Sequence, residues 1–171
     1  FHKELWDDTV FMVGIFLQEM YRLTGDERYM DELVKQIEAH REKLRDEKWG
    51  LWVHGWDNDN KNRCNICGQT GWSNNPEKRS TEIWGRGNGW VIVTLAQTIQ
   101  ILPETHPQRA QLNGYLKEMI IHLPTLQDTA TGHWFQLPVR KDEAGNYIES
   151  SCTAMFAFGI LSALQTGIVE G

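Results

Sequence analysis

Gly50-Leu-Trp-Val-His54 and Gly132-His-Trp-Phe-Gln136 are two aromatic stretches of one type, and their spacing decides the fold. Trp6 precedes the first stretch by 44 residues and Trp84 precedes the second by 48, with helical patterns filling both intervals. Each interval is therefore one unit of helix, turn, helix and aromatic loop. Because repeats of this kind bury a shared core only by stacking, the sequence predicts an all-α fold of stacked helical hairpins.

Hydrophobic periodicity, with capping and proline signals, predicts five helices. Thr24-Gly25 is the expected stop of the first helix, and Asp26 is the expected N-cap of the second. Pro124 is expected to disturb the last turn of the fourth helix. Residues 49–57 indicate a short extended loop or hairpin, and residues 58–79 form a polar loop. The predicted helices cover residues 8–23, 26–44, 80 or 81 to 102, 107–126 and 151–167.

The composition is that of a soluble globular domain, with 171 residues, 40% hydrophobic and 23% charged. The net charge of −6 is spread over both halves, and no run of Lys or Arg exceeds two, so nucleic acid is not an expected partner. Apolar runs are too short to span a bilayer, and the start FHKELWDD lacks the features of a signal peptide. We therefore expect no membrane association and a cytoplasmic location.

Three cysteines are too few for a disulfide scaffold. Cys64-Asn-Ile-Cys67 has the spacing of half a zinc site, but no second pair follows, and His54 and His106 lie at no diagnostic distance. We therefore expect a plain thiol pair in a loop, with no metal and no cofactor.

The repeat also predicts where the chemistry lies. If the units stack in parallel, one rim of the protein contains the starts of their first helices together with the loops that precede such helices. The N-termini of helices carry a partial positive charge, so this rim favours an acidic ligand. Eight tryptophans favour a sugar-binding cleft, because a flat ring covers the apolar face of a pyranose. The residues predicted on this rim are Trp6, Asp8, His54, Trp84, Arg86, Gln136, Ser150 and Ser151.

The strongest local pattern is Trp84-Gly-Arg86-Gly-Asn-Gly-Trp90. Each glycine near a helix start costs up to about 1 kcal/mol relative to alanine, which indicates a close approach of backbone or ligand. Arg86 could clamp a carboxylate while the two tryptophans stack on a sugar. It could equally form an internal ion pair in a tightly packed helix start.

Ordinary structural roles exist for the other polar residues of the rim. Asp7 and Asp8 stand at a helix start, where capping is the usual function of an acid, and we expect Asp7 to be a cap or to face solvent. His54 could be a core histidine with satisfied hydrogen bonds. Glu149 and Asp57 are further carboxylates near the rim, but the sequence does not show which two acids could flank one glycosidic bond.

Five motifs occur in one order along the chain: Trp6-Asp-Asp8-Thr-Val-Phe-Met12, Gly50-Leu-Trp-Val-His-Gly-Trp-Asp57, Trp84-Gly-Arg-Gly-Asn-Gly-Trp90, Leu102-Pro-Glu-Thr-His-Pro107, and Asn146-Tyr-Ile-Glu-Ser-Ser151 with Ala154-Met-Phe156. In order and spacing they resemble glycoside hydrolase family 105, the unsaturated rhamnogalacturonyl hydrolases. Family 88, which contains unsaturated glucuronyl hydrolases, is related, and the third motif favours family 105.

The resemblance implies an (α/α)6 toroid, of which residues 1–171 would be the central part, with flanking parts on both sides absent from this chain. It implies a hydrolase that removes a 4,5-unsaturated uronic acid from the non-reducing end of pectin-derived rhamnogalacturonan oligosaccharides. The non-enzymatic alternative is a helical-repeat module that binds carbohydrate, and the alternative enzyme is another (α/α)6 protein such as a uronate lyase.

The resemblance also implies roles for single residues. Asp8 would be the catalytic proton donor and acceptor: it would protonate C4 of the vinyl ether and then take a proton from the water that attacks C5. The substrate-binding residues implied are Trp6, His54, Trp84, Arg86 and Trp90.

Overall fold

The structure, a computed structural model, describes residues 4–58 and 72–170 and is built mainly from helices, as the sequence predicts. Two three-residue strands pair antiparallel, and a 3₁₀ turn covers Pro138–Arg140. The strands and helices are β1 (Glu4–Trp6), α1 (Thr9–Thr24), α2 (Glu27–Leu44), β2 (Gly55–Asp57), α3 (Gly85–Ile101), α4 (Arg109–Ile120), α5 (Leu123–Leu126) and α6 (Ser150–Gln165).

A tight turn joins α1 and α2 into the first hairpin. Gly25 ends α1 in the left-handed region with φ 66°, and its N–H donates to the carbonyl of Tyr21 at 2.8 Å. Asp26 then caps α2 by accepting from the N–H of Arg28 at 3.0 Å. The predicted cap and stop signals are therefore confirmed, and they set the two helices side by side.

The third helix is the centre of the fold. α3 packs against α1, α4 and α6, and most of its residues are buried. Where α3 meets α1, the buried amide of Gln18 donates to the carbonyl of Thr94 at 3.0 Å and to Oγ1 of Thr98 at 2.8 Å. These bonds satisfy the amide donor inside the core, so α1 and α3 are fixed by directional contacts as well as by apolar packing.

The aromatic loops confirm the internal repeat. In the first loop the N–H of Gly50 donates to the carbonyl of Asp46 at 2.9 Å, and in the second the N–H of Gly132 donates to that of Asp128 at 2.8 Å. Both glycines lie in the left-handed region, with φ 64° and 73°. The same turn therefore closes both units.

The third helix begins later than predicted, at Gly85 rather than at residue 80 or 81. The residues before it are taken up by pairing with the first aromatic loop. The N–H of Ser80 donates to the carbonyl of Gly55 at 2.8 Å, and the N–H of His54 donates to that of Glu82 at 3.1 Å. Because these backbone groups bond across the loop, they do not form a helical turn.

The helix predicted for residues 107–126 is divided into α4, Arg109–Ile120, and α5, Leu123–Leu126. Pro124 lies in the first turn of α5, where a missing N–H costs nothing, whereas in the interior of one long helix it would break a hydrogen bond. The other predicted helices match within about two residues. Within the described residues, none of the helices combines the length and apolar character that crossing a bilayer requires.

Candidate active site

A cleft of about 620 Å³ opens where the first turn of α3 meets the strand pair and the two aromatic loops. It contains Trp6, His54, Trp84 and Arg86, which are four of the residues predicted on the rim to bind substrate. Its walls are formed by Trp6, His54, Trp72, Ser80, Glu82, Trp84, Arg86, Gln136 and Leu137.

Aromatic rings form one side of the cleft. The ring of His54 lies between those of Trp6 and Trp84, with centroid distances of 5.0 and 4.7 Å and edge-to-face angles of 62° and 74°. Trp72 lies 5.0 Å from Trp6 and extends this surface. Trp72 is not among the residues predicted on the rim. The signal that could have revealed it is a tryptophan inside an otherwise polar stretch.

Arg86 forms the internal ion pair that was one of the two predictions for it. Its guanidinium pairs with the buried carboxylate of Glu149, which also accepts from the hydroxyl of Ser151. The guanidinium lies 4.3 Å from the ring centroid of Trp84 while 38% of the Arg86 side chain stays exposed. Arg86 therefore lines the cleft, and the buried carboxylate of Glu149 balances part of its positive charge.

Asp8 lies beside the cleft rather than in its wall. It precedes α1 at the N-cap position, but its side chain makes no capping hydrogen bond. One oxygen of its half-buried carboxylate lies within 4.8 Å of a carboxylate oxygen of Asp7 and of a ring nitrogen of His54. Trp90 packs against Phe11, one turn further along α1, with centroids 4.4 Å apart. The roles predicted for Asp8 and Trp90 stay predictions.

The prediction that Asp7 is a cap or faces solvent is wrong, because its side chain is completely buried beneath His54. Its Oδ1 lies 2.7 Å from Nδ1 of His54, within hydrogen-bond distance, and accepts from the N–H of Asp8 at 2.9 Å. Its Oδ2 has no hydrogen-bond partner among the described residues. Nothing in the sequence distinguishes the two adjacent acids, since only the fold reveals which one points inward.

Close approach by neighbouring protein groups explains the glycines of the third motif. A Cβ on Gly87 would lie 2.1 Å from Oδ2 of Asp7, so a side chain there would displace the buried carboxylate. A Cβ on Gly85 would lie 3.1 Å from the carbonyl oxygen of Phe135, and one on Gly89 would lie 2.9 Å from Met155. The three glycines therefore allow neighbouring groups of the protein itself to pack closely against the start of α3.

Burial and hydrogen bonding shift both partners of this pair. Burial raises the pKa of Asp7 to about 6, although the hydrogen bond and charge of His54 oppose the rise. For His54, burial works against the charged ring, but the hydrogen bond to the Asp7 carboxylate and the negative charge of Asp7 outweigh the effect of burial and raise the pKa of His54. Because the two groups are in direct contact, a change in the charge of one changes the proton affinity of the other.

The Asp7 shift predicts a pH dependence of stability. Between about pH 4 and pH 6 the folded state keeps the Asp7 proton and the unfolded chain has lost it, so the free energy of unfolding falls as the pH rises through this window. Asp7→Asn removes that contribution. Denaturant unfolding at several pH values should show the wild type losing stability relative to Asp7→Asn from pH 4 to 6; parallel curves would contradict the shift.

Potential metal donors also meet here. Asp7, Asp8 and His54 each offer a ligand atom within 4.8 Å of the others. Because Nδ1 of His54 is already hydrogen-bonded to Asp7, a cation at that nitrogen would have to break the hydrogen bond. Cys64 and Cys67 lie outside the described residues, so the thiol-pair prediction stays a prediction. Burial raises the pKa of Cys152 to about 12, which keeps this thiol protonated at neutral pH.

Comparison with known proteins places these features in a family. The family model described as Glycosyl Hydrolase Family 88 matches residues 1–171. The chain belongs to Glycosyl Hydrolase Family 88. The unsaturated rhamnogalacturonyl hydrolase YesR of Bacillus subtilis is 30% identical over 166 residues, which are 97% of this chain and 42% of YesR. An unsaturated 3S-rhamnoglycuronyl hydrolase of an Alteromonas species is 26% identical over 164 residues, 96% of this chain and 36% of its own length.

Solved structures agree with this assignment to family 88 and with the resemblance to family 105. A family 105 glycoside hydrolase of C. acetobutylicum superposes with a TM-score of 0.86 at 29% identity, covering 98% of this chain and 44% of that one. A possible family 105 member from Salmonella enterica gives 0.78 at 32%, covering 99% and 40%. The chain thus has the helical toroid type of fold and spans less than half the length of these relatives.

Proposed function

We propose that this family 88 chain supplies the catalytic acid of a hydrolase that removes a 4,5-unsaturated uronic acid from the non-reducing end of pectin-derived rhamnogalacturonan oligosaccharides. The observation that carries the proposal is the position of Asp8, a half-buried carboxylate next to a cleft with tryptophan walls. The names of YesR and of the Alteromonas relative, both hydrolases of unsaturated glycuronyl compounds, support the substrate class.

In the proposed reaction one carboxylate acts twice. Asp8 gives its proton to C4 of the C4=C5 double bond, and water adds at C5 while Asp8 takes up one of its protons. The product carries a hydroxyl group on C5 next to the ring oxygen, so it is a hemiketal. The hemiketal opens to a ketone at C5 and leaves a hydroxyl group on C1, so C1 becomes a hemiacetal. The hemiacetal collapses to an aldehyde at C1 and releases the attached sugar as an alcohol. This addition requires no covalent glycosyl intermediate.

The cleft can bind such a substrate. Trp6, Trp72 and Trp84 offer ring faces and edges to an unsaturated pyranose, while Arg86 and His54 supply hydrogen-bond donors for its carboxylate and hydroxyls. Because Glu149 balances part of the Arg86 charge, Arg86 acts in the proposal through directional N–H groups more than through net charge.

We also propose that residues 1–171 are the central part of one toroid domain. Large apolar side chains are exposed on the outer helices, including Phe16 of α1 at 59% and Leu161 of α6 at 58%. In a toroid, neighbouring hairpins would cover these faces. The predicted cytoplasmic location stays a prediction that cell fractionation would test.

Ultraviolet absorbance tests the proposed reaction, because the conjugated double bond of the unsaturated uronate absorbs and its hydration destroys the chromophore. The protein expressed from its complete open reading frame should remove the absorbance of an unsaturated rhamnogalacturonan disaccharide and release rhamnose. A rise of absorbance on intact pectin would identify a lyase. Binding without any change of absorbance would identify a carbohydrate-binding module, and either result would overturn the proposal.

A further inference from the structure

We propose that Asp7 is a positioning residue for His54: its buried carboxylate holds the imidazole with Nδ1–H turned into the protein and leaves Nε2 for a ligand in the cleft. Oδ1 of Asp7 lies 2.7 Å from Nδ1 of His54, and an ionised carboxylate at this distance can only accept a hydrogen bond. His54 itself lines the cleft between Trp6 and Trp84. These contacts exist whether or not the cleft turns over the proposed substrate.

Comparison of the two repeat units shows that the fold does not require this pair. In the first unit the N–H of Asp7 donates to the carbonyl of His54 at 3.0 Å, and in the second the N–H of Gly85 donates to that of Gln136 at 2.7 Å. Gly85 and Gln136 thus occupy the corresponding backbone positions without an ionisable side chain. Since the second unit makes the same backbone contact with neutral residues, the Asp7–His54 pair is an addition to the architecture.

The burial of the Asp7 carboxylate also lowers the stability of the folded protein. A carboxylate removed from water needs several hydrogen bonds to offset its lost hydration, and this one receives two, both on Oδ1. Oδ2 lies against Gly87 and has no hydrogen-bond partner in the described part of the chain. A site that keeps such a carboxylate loses stability, which is typical of a functional rather than a structural arrangement.

The charged groups around His54 determine what its second ring nitrogen, Nε2, can offer to a ligand. The charged groups that act on the ring are Asp7 and Asp8 on the segment before α1 and Arg86 on α3, and Glu82 also lines the cleft. With Nδ1–H engaged by Asp7, a charged ring presents Nε2–H as a donor, which suits a carboxylate or hydroxyl of an acidic sugar. A neutral ring presents Nε2 as an acceptor. Asp7 therefore determines which of the two the cleft offers.

Nitrogen-15 NMR of the histidine side chains in this chain tests the proposal directly. In the wild type, neutral His54 should carry its hydrogen on Nδ1, and Asp7→Asn should lower the pKa of His54 by about 1 or more because it removes the negative charge while keeping a hydrogen-bond acceptor. Asp8→Asn is the matched control: it removes an equal charge that makes no hydrogen bond to the ring, so its effect should be smaller.

Two results would overturn the proposal. One is a wild-type His54 whose neutral ring carries the hydrogen on Nε2, a measurement that needs no variant. The other is an identical His54 titration in the wild type and in Asp7→Asn. Because neither readout involves turnover, a failure here is distinguishable from a failure of the proposed hydrolase activity, which the absorbance assay reports.

Discussion

Asp8→Asn is expected to lower the rate of chromophore loss by about 10²–10⁴-fold, the usual contribution of a positioned acid and base. Asparagine has nearly the same shape as aspartate but cannot deliver a proton to C4 or accept one from water. The half-buried carboxylate next to Asp7 and His54 is the group that would do both. Binding of the unsaturated oligosaccharide should persist, since none of the cleft walls changes.

Asp142→Asn is the matched control, because it makes the same substitution at an exposed carboxylate that is not part of the cleft wall. Both variants should be assayed from the complete open reading frame, by initial rates and by equilibrium binding. Full turnover by Asp8→Asn would contradict the role proposed for Asp8. An equal loss in both variants would show that the effect is not specific to the site.

Gly159→Ala is expected to destabilise the fold by about 1–3 kcal/mol. Gly159 is buried on α6, and a Cβ there would lie 2.1 Å from Cγ2 of Ile92 on α3. Ile92 is fully buried, and its β-branched side chain has one strongly preferred rotamer in a helix, so the contact can be relieved only by moving the helices apart. Urea unfolding of this chain measures the effect.

Gly114→Ala supplies the contrast for that prediction. Gly114 lies on the exposed face of α4, and nothing comes within 4 Å of an added Cβ. Alanine there should stabilise the helix by up to about 1 kcal/mol through its better helix propensity. If the two alanine variants shift the urea midpoint in the same direction, the close packing of α3 on α6 is not the reason why position 159 requires glycine.

The hairpin architecture could be predicted because its signals are local. The 44- and 48-residue spacings, the cap at Asp26 and the stop at Gly25 each act within a few residues, and the structure retains them. The start of α3 could not be predicted in this way. Residues 80–82 pair with the first aromatic loop, and such nonlocal pairing overrides the local preference for a helix.

The rim of the candidate site was likewise predictable from the repeat, since equivalent helix starts must come together when units stack. Trp6, His54, Trp84 and Arg86 meet in one cleft for this reason. The inward turn of Asp7 was not predictable, because two adjacent acids at a helix start look alike in sequence. Tertiary packing alone decides which of them is buried.

Reaction in heavy water tests the central claim most directly, because Asp8 would deliver a deuteron to one face of C4. Turnover of an unsaturated rhamnogalacturonan disaccharide in D₂O, sampled by NMR at the first time points, should yield a uronate product that has lost its double bond and carries one deuterium on a single face of C4. Ordinary glycoside hydrolysis would instead release an unsaturated uronate whose ring opens to an enol and takes up deuterium at C4 from solvent without a facial preference. Deuterium on both faces of C4 at these time points would therefore contradict the account.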